Sequence, residues 1–372
     1  MPISRREWIQ KSLLASGGLL VAGTSSAYTD RVPPKSIVNG ELLQLNWNEN
    51  PYGPSNYATQ AVNEAMKYAN RYPDEEMLRV KAELAAKHRV SASNILLTAG
   101  STEILSLLGQ HVGLQKGEIL TPFPTFPTAL RFGENAGASI KKVSLDAEDR
   151  IDLDKVLDAV SSNTKLIFIC NPNNPTSTEL PTQDLRNFCK KVPEDVLICL
   201  DEAYIEYSKA GEIGSMIQLV DELSNLIVCR TFSKAYGLAG LRIGYAVSHY
   251  SNINALRERH LGFEISTGWP PLVAARAALY DHKFLNKCID KNEEGRNIVY
   301  RAFYRWGVQY NLSSTNFIYA RDDRFDKQVV EKLEKHRILI TKWPDMTEHI
   351  RISIGKPEEM RRFVEVIEEF LV

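Results

Sequence analysis

The 372-residue sequence lacks the features that mark several large classes of protein. It has no strong charge of either sign, because 45 Lys and Arg residues nearly balance 46 Asp and Glu residues. It contains no basic run beyond the first few residues, so we expect no nucleic-acid partner. It also has no CxxC pair and no His at metal-ligand spacing. We therefore predict no metal site.

Cysteine is scarce, and its distribution excludes a disulfide-dense fold. The five cysteines are an odd number, which argues against a complete disulfide framework. Cys170, Cys199 and Cys229 stand in the apolar runs LIFIC, VLICL and LIVC, which predict buried strands. A free cysteine often serves as a small core residue, so we predict that role for these three.

No hydrophobic run near the N-terminus is long enough to span a bilayer. The apolar stretch Leu13–Ala22 falls short of the roughly 20 residues that a spanning helix needs, so we expect no stable membrane insertion. Arg5-Arg6 precedes this stretch, and Ser25-x-Ala27 offers small residues for cleavage. Residues 1–27 are predicted to be a twin-arginine signal peptide, and the protein is predicted to be exported, to the periplasm. If this segment is only an amphipathic N-terminus, the expected location is the cytoplasm.

Short apolar runs alternate with helix-like segments from about residue 95 onward. This alternation predicts an α/β fold with a mostly parallel sheet. Polar clusters follow four of the runs, at the carboxyl ends where ligands gather in such sheets. The predicted strands are Ile95–Thr98, Ile119–Leu120, Lys165–Cys170, Val196–Leu200, Leu226–Cys229 and Ile243–Val247, and the clusters read AGST, NPNNPT, DEAY and TFSK.

The pattern changes after about residue 265, and it predicts a second, smaller α+β domain over residues 266–372. The large domain is predicted to span residues 75–265, and residues 28–74 to contribute to the small domain and the ligand site. Gly268-Trp269-Pro270-Pro271 is the expected linker. The predicted elements of the small domain are strands Phe317–Ala320, Ile338–Ile340 and Ile350–Ile354 and helices Asp326–His336 and Pro357–Leu371.

The segment after the run that ends at Cys229 has the composition of a cofactor-anchoring site. Thr231 and Ser233 precede Lys234, GLAG follows, and Arg242 stands eight residues beyond the lysine. Short hydroxyls and an arginine can hold a phosphate through charge-assisted hydrogen bonds. Glycines let the backbone approach it closely. A reactive lysine beside a phosphate cradle is the pattern that pyridoxal-phosphate (PLP) chemistry requires.

The segment TFSKAYGLAGLRIGY resembles the lysine motif of the fold-type I PLP enzymes, in their histidinol-phosphate aminotransferase-like branch. The resemblance extends over almost the whole chain after the leader. It includes five further motifs in order, NWNENPYGP (46–54), RYPD (71–74), NPNNPT (171–176), DEAY (201–204) and IRISIG (350–355). It implies an α/β fold of PLP-transferase type I, a large PLP-binding domain, and PLP as the cofactor.

The resemblance also implies roles for individual residues. Lys234 matches the lysine that holds the cofactor as a Schiff base and moves protons. Asp201 matches the carboxylate that pairs with the pyridine nitrogen, and it is expected to stay ionised beside that cation. Tyr204 and Asn174 match the groups that hold the phenolic oxygen. Phe126 matches the residue that stacks on the cofactor ring. The residues that match the phosphate-binding positions are Gly100, Ser101, Thr102, Thr231, Ser233 and Arg242.

Further matches concern the substrate and the assembly. Arg351 matches the residue that binds the anionic group of the substrate, and its guanidinium suits a carboxylate or a phosphate. Asn50 and Tyr52 are expected at the substrate. Tyr72 matches a tyrosine that reaches the cofactor phosphate of the neighbouring subunit, which implies a homodimer with shared sites.

Two positions depart from the family pattern. Ser177 stands where the family usually has glycine. Thr341 occupies a position where the family pattern has an arginine, and Lys342 follows it. Adjacent strand residues point to opposite faces, so Lys342 is predicted to face away from Arg351. The missing arginine weakens the case for a phosphorylated substrate.

Taken together, these matches predict a PLP-dependent aminotransferase of class I/II. It would move an amino group between an amino acid or amino-alcohol phosphate and a 2-oxo acid. Two readings on the same scaffold stay open, histidinol-phosphate aminotransferase itself and another PLP reaction such as decarboxylation or racemisation. A non-catalytic protein with this fold is disfavoured because Lys234, Asp201, Tyr204, Asn174 and Arg242 are all present.

Overall fold

The computed structural model describes residues 42–260, 267–342 and 348–372. The predicted signal peptide lies outside the described residues. Within the described ranges, none of the helices combines the length and hydrophobicity needed to cross a membrane.

Strands and helices alternate through most of the described chain. The strands are β1 (Leu43–Leu45), β2 (Ile95–Thr98), β3 (Glu118–Phe123), β4 (Ser139–Ser144), β5 (Thr164–Cys170), β6 (Leu197–Asp201), β7 (Leu226–Thr231), β8 (Gly244–Ser248), β9 (Gln309–Tyr310), β10 (Phe317–Arg321), β11 (Ile338–Ile340) and β12 (His349–Ser353). The helices are α1 (Asn56–Ala65), α2 (Asp74–His88), α3 (Ser101–Leu114), α4 (Thr128–Ala136), α5 (Leu153–Asp158), α6 (Thr182–Lys191), α7 (Tyr250–Arg257), α8 (Trp269–Tyr280), α9 (His282–Trp306), α10 (Lys327–Lys335) and α11 (Pro357–Leu371).

A seven-stranded sheet forms the larger part of the fold, in the order β2-β8-β7-β6-β5-β3-β4. The pairs from β4 to β7 are parallel, and β8 runs antiparallel to both β2 and β7. The predicted α/β fold with a mostly parallel sheet is confirmed. Because β5, β6 and β7 are parallel neighbours, the segments that follow them emerge at the same edge.

The central strands are buried on both faces, which explains their nearly continuous apolar sequences. Every residue of β7 is buried, and so is every residue of β5 except Lys165. Cys170, Cys199 and Cys229 lie in this core with free thiols, as predicted.

The sequence did not predict β4, which forms the edge of the sheet beside β3. Its residues are half-buried or exposed, and Lys141 and Lys142 interrupt its apolar character. Lysine on an edge strand discourages pairing with other chains, and it also removes the apolar signal on which strand prediction depends.

Two small sheets lie in the C-terminal part. Strands β12, β10 and β9 pair antiparallel, and β11 pairs with β1 in parallel. All three predicted strands and both predicted helices of this part are present, with ends within one residue of the prediction. A bridge between Thr341 and Arg351 connects the end of β11 to β12.

The prediction of a linker at Gly268-Trp269-Pro270-Pro271 is wrong. Gly268 caps α8, and both prolines stand in its first turn, where their fixed φ suits a helix start and no N–H partner is needed. Leu272, Ala275 and Ala278 of this helix belong to the core of the large sheet. That core therefore continues past residue 265.

Candidate active site

The four polar clusters meet at the carboxyl edge of the large sheet. Asp201 is the last residue of β6, and it pairs in register with Cys170 of β5 and Cys229 of β7. Strands β5 and β6 therefore end level, and β7 ends two residues further on, at Thr231. Asn174 and Lys234 follow β5 and β7 within four residues.

Lys234 lies half-buried among charged and aromatic groups. Its Nζ donates to the backbone oxygen of Trp47 at 3.0 Å and lies 5.8 Å from the centre of the Tyr204 ring. Burial lowers the pKa of Lys234 to about 8, and the positive charges of Arg351 and Arg242 act in the same direction. A lowered pKa increases the neutral, nucleophilic fraction of a lysine near pH 7.

Asp201 is buried at the end of β6. Its Oδ1 accepts a hydrogen bond from the backbone N–H of Ala203 at 3.2 Å. Burial raises the pKa of Asp201 to about 7, although that hydrogen bond and the charge of Lys234 both act to lower it. In the cofactor-free protein its protein neighbours alone do not outweigh burial, and the ionisation of this carboxyl beside the ring nitrogen stays a prediction. A protonated ring nitrogen is the partner that would keep the charge.

Tyr204 stands three residues after Asp201, with its hydroxyl held by two amides. Asn48 Nδ2 donates to the hydroxyl oxygen at 3.0 Å, and Asn174 Nδ2 donates at 3.4 Å. The ring packs edge-on against Phe317, with 5.1 Å between centroids. Burial raises the pKa of Tyr204 above its ordinary value, so the phenol keeps its proton.

Arg351 in β12 reaches the same place. Its Nη1 donates to Asn174 Oδ1 at 2.7 Å, and its Nη2 donates to Asn46 O at 2.7 Å and to Thr341 Oγ1 at 3.1 Å. Burial lowers the pKa of Arg351 to about 10. Lys342 Nζ donates instead to the backbone oxygen of Phe325, at 2.8 Å. The prediction that Lys342 faces away from Arg351 is confirmed.

A second group of predicted residues converges at the start of α3. Arg242 Nη1 donates to Ser233 Oγ at 3.3 Å, and Thr231 Oγ1 donates to Ser233 Oγ at 3.0 Å. A Cβ built on Gly100 would lie 2.4 Å from Arg242 Nη2, so the guanidinium packs directly on the glycine backbone. Gly100 also has φ +83°, which a residue with a side chain rarely adopts.

This convergence places cationic, hydroxyl and backbone donors around the first turn of a helix. Ser101 and Thr102 are its first two residues, whose backbone N–H groups have no intrahelical partner. Such a helix start favours a phosphate. Phe126 is half-buried and packs against the core beneath α3 and β5.

The remaining predicted residues lie in three different settings. Asn50 donates from Nδ2 to the backbone oxygen of Ala235 at 2.9 Å and accepts from the backbone N–H of Tyr52, also at 2.9 Å. The Asn50 amide therefore supports the turn next to Lys234. Tyr52 lines a small cavity with Cys288. Tyr72 is 80% exposed.

Sequence reasoning missed Asn48, although its motif was recognised. Asn48 is buried and contacts Tyr204, and its backbone N–H donates to Ser353 Oγ at 2.8 Å. The motif NWNENPYGP marked the segment, but nothing in it identified which asparagine faces Tyr204.

A buried ion-pair cluster was also missed. Arg230, 1% exposed, contacts Glu202 at 2.9 Å, Glu206 at 3.2 Å and Glu212 at 2.6 Å. The cluster connects the segment after Asp201 to the end of β7. It stabilises the placement of these two segments relative to each other. The adjacent charges in DEAY and CRTFSK were the available signal.

These residues fit PLP by the chemistry of their side chains. The buried Asp201 lacks a strong cationic partner among its described neighbours, and the ring nitrogen would supply one. The start of α3, together with Arg242 and Ser233, suits the binding of a phosphate group. Lys234 supplies a nearby amine for the aldehyde. The donor set is therefore complete for a cofactor that carries an aldehyde, a pyridine nitrogen and a phosphate.

Comparisons with known proteins agree with this fit. Residues 40–367 match the family model of aminotransferase class I and II. Histidinol-phosphate aminotransferase 1 of Bacillus anthracis is 34% identical over 334 residues, which cover 89% of each chain. Histidinol-phosphate aminotransferase of Macrococcus caseolyticus is 35% identical over 97% of this chain and 99% of its own.

A solved structure supports the same assignment. The crystal structure of histidinol-phosphate aminotransferase from Sinorhizobium meliloti, in complex with pyridoxal-5'-phosphate, superposes with a TM-score of 0.81. The match has 28% identity and covers 93% of this chain and all of that one. The chain therefore belongs to the class I and II aminotransferase family, as a PLP-dependent transaminase of fold type I.

Proposed function

We propose that Lys234, Asp201 and Tyr204 perform the transamination. When bound, PLP supplies an electron sink for the charge that develops at the substrate Cα. Lys234 would hold the cofactor covalently, and once the substrate amine has displaced its Nζ, the freed amine would take the Cα proton, a task that its lowered pKa of about 8 supports. Asp201 keeps the ring nitrogen protonated. Tyr204 donates to the phenolic oxygen.

The other predicted residues bind and orient the reactants. Asn174 joins Tyr204 at the phenolic oxygen and also contacts Arg351. Arg351 binds the anionic group of the substrate. The phosphate is proposed to be held by Gly100, Ser101, Thr102, Thr231, Ser233 and Arg242, with Phe126 against the ring.

For the substrate, we propose a free amino acid with an α-carboxylate in preference to histidinol phosphate. The observation that carries this proposal is the neutral Thr341, whose Oγ1 lies 3.1 Å from Arg351 Nη2. Lys342 does not compensate, because its ammonium contacts Phe325. Arg351 alone suits a carboxylate, whereas a dianionic phosphate is better held by two cations.

Histidinol phosphate is the second candidate, and the relatives favour it. Two proteins that are 34% and 35% identical to this chain carry the name histidinol-phosphate aminotransferase. The two candidates differ in whether one arginine or two bind the substrate anion, so substrate kinetics separate them.

Wild-type enzyme is expected to have a higher kcat/KM for at least one free amino acid than for histidinol phosphate. Thr341→Arg is expected to raise kcat/KM for histidinol phosphate by about tenfold to a hundredfold, because a hydrogen bond to a charged group contributes roughly 1.5–3 kcal/mol. Thr341→Ser is the matched control and keeps the hydroxyl beside Arg351. A clear wild-type preference for histidinol phosphate contradicts the first candidate and establishes the second.

We also propose a homodimer in which Tyr72 completes the site of the partner subunit. Tyr72 is 80% exposed, and large apolar side chains near it in sequence are exposed too, among them Tyr57 at 66% and Leu78 at 62%. Exposed apolar side chains of this size fit burial against a second copy.

Sedimentation is expected to give twice the mass of one chain. Tyr72→Phe is expected to weaken PLP binding about tenfold, because it removes one hydrogen bond to the charged phosphate. Tyr57→Phe, a similarly exposed tyrosine, is the control and is expected to leave the dissociation constant unchanged. A monomeric mass at micromolar concentration, or equal affinities for the two variants, contradicts shared sites.

Export through the twin-arginine route is proposed from Arg5-Arg6 and the short apolar stretch that follows. Folded export suits an enzyme that must collect its cofactor in the cytoplasm. Replacing both arginines with lysine is expected to retain the enzyme inside the cell, measured by fractionation of the native host. Unchanged export of the variant, or an uncleaved cytoplasmic wild type, overturns the proposal.

A further inference from the structure

The hydroxyl of Tyr204 accepts from two amides at once. Asn48 Nδ2 lies 3.0 Å from the hydroxyl oxygen, and Asn174 Nδ2 lies 3.4 Å from it. A phenol oxygen has two acceptor positions and one proton to donate. Its protein contacts therefore use the acceptor positions and leave the proton for another group.

The orientation of each amide is determined by its other contact. Asn48 Oδ1 accepts from Ser353 Oγ at 2.9 Å, and Ser353 Oγ in turn accepts from the backbone N–H of Asn48 at 2.8 Å. The serine proton is thus directed at Oδ1, and Nδ2 faces Tyr204. Asn174 Oδ1 accepts from the Arg351 guanidinium at 2.7 Å, which has only donors. A reversed Asn174 amide would place its NH2 group against this guanidinium and lose a buried hydrogen bond.

We propose that Asn48 is a positioning residue that, with Asn174, makes the Tyr204 hydroxyl an obligate donor toward the phenolic oxygen of the cofactor. This inference rests on the proposed role of Tyr204. It adds that Asn48, which lies near the start of the described residues, determines the direction in which the Tyr204 hydroxyl proton points.

Asn48 is well suited to this role. It is 1% exposed, and its backbone oxygen accepts from Asn316 Nδ2 at 2.9 Å. Its φ of 53° lies in the left-handed region, which asparagine tolerates better than most residues. The amide is therefore rigid before any ligand binds.

The charges that face Tyr204 do not remove its proton. Burial, Cys170 and Asp201 raise the pKa of Tyr204, whereas Arg351 lowers it, and the net effect of these groups is upward. Lys234 Nζ also lies near the ring, 5.8 Å from its centre. The hydroxyl stays a donor across the neutral pH range.

The test is a pH titration of the visible absorbance of the holoenzyme, whose midpoint reports the proton on the lysine–cofactor group. A donor to the phenolic oxygen withdraws charge from this group and lowers the midpoint. Asn48→Asp replaces the Nδ2 donor with an acceptor that competes for the Tyr204 proton, and asparagine and aspartate tolerate the same backbone. Its midpoint is expected to rise by about one pH unit, the equivalent of one hydrogen bond.

A double-mutant cycle distinguishes positioning from general damage. In a Tyr204→Phe background, Asn48→Asp is expected to cause no additional shift, because the proton that it redirects is gone. Asn94→Asp is the matched control, since Asn94 is also buried but donates to Ser248 O. It is expected to leave the midpoint unchanged. The PLP dissociation constant of each variant is measured in parallel. It is expected to change in the same variants whose midpoint changes.

The outcomes separate the two proposals. If Tyr204→Phe leaves the midpoint unchanged, the proposed role of Tyr204 fails. If Tyr204→Phe shifts it and Asn48→Asp does not, or if their shifts add, only the role of Asn48 is overturned. If Asn48→Asp yields no holoenzyme, Asn48→Ser removes the same donor with a smaller side chain, and the same upward shift is expected.

Discussion

Replacing Lys234 with alanine is expected to lower kcat at least about a thousandfold while the protein stays folded. The variant loses both the covalent attachment and the proton transfer, and proton transfer by a positioned side chain alone contributes roughly 10²–10⁴-fold. Lys234 Nζ makes one hydrogen bond, to Trp47 O, so little of the fold depends on it. The measurement is single-turnover reaction with an amino donor, followed by the loss of cofactor absorbance.

Lys342→Ala is the control, because this lysine lies near the site but donates to Phe325 O. It is expected to keep activity within a few-fold of wild type. Borohydride reduction of the wild-type holoenzyme followed by peptide mapping is expected to leave the cofactor mass on the peptide that contains Lys234. A label on another lysine, or an active Lys234→Ala variant, overturns the assignment.

Replacing Asp201 with asparagine is expected to have two opposite effects. Activity should fall by at least about 10²–10³-fold, because a neutral amide cannot hold a proton on the ring nitrogen by charge. The cofactor-free protein should become more stable at high pH. The pKa of Asp201 is raised by burial to about 7 in the folded state, against roughly 3.9 when unfolded.

The sign follows from proton binding. Between about pH 4 and pH 7 the folded state binds more protons than the unfolded state at Asp201, so stability falls as pH rises through this window. Asparagine does not titrate, so the variant does not lose stability in this way as the pH rises. Melting temperatures of the cofactor-free proteins are therefore expected to be similar near pH 4 and higher for Asp201→Asn above pH 7. Asp158→Asn, at an exposed position, is the control. A less stable Asp201→Asn protein at pH 9 contradicts the expectation.

Much of the fold was predictable because its strongest signals are local. The central strands are continuous apolar runs, and α11 has the predicted bounds. Strand β4 was missed because an edge strand with two lysines has no such run. The start of α8 was misassigned because Gly-Trp-Pro-Pro is equally suited to a linker and to a capped helix.

The candidate active site shows the same difference between residues with a local sequence signal and residues without one. Residues whose type suits the chemistry and which stand beside a recognisable motif, such as Lys234 and Asp201, could be predicted individually. The raised pKa of Asp201 in the cofactor-free protein could not, because it depends on how completely the folded chain excludes water. Asn48 and Arg230 act through partners from distant segments, and no local pattern encodes that pairing.

The contact between Asn48 and Ser353 spans 305 positions in sequence. Strand β1, close to Asn48, likewise pairs with β11 near the other end of the chain. During synthesis, the segment that holds Asn48 is made long before β12 and must wait for it. The contacts between Asn48 and Ser353 therefore cannot form before β12 has been made. Contacts of such high sequence separation also slow folding, so newly made enzyme is expected to pass through a cofactor-free interval before it becomes active.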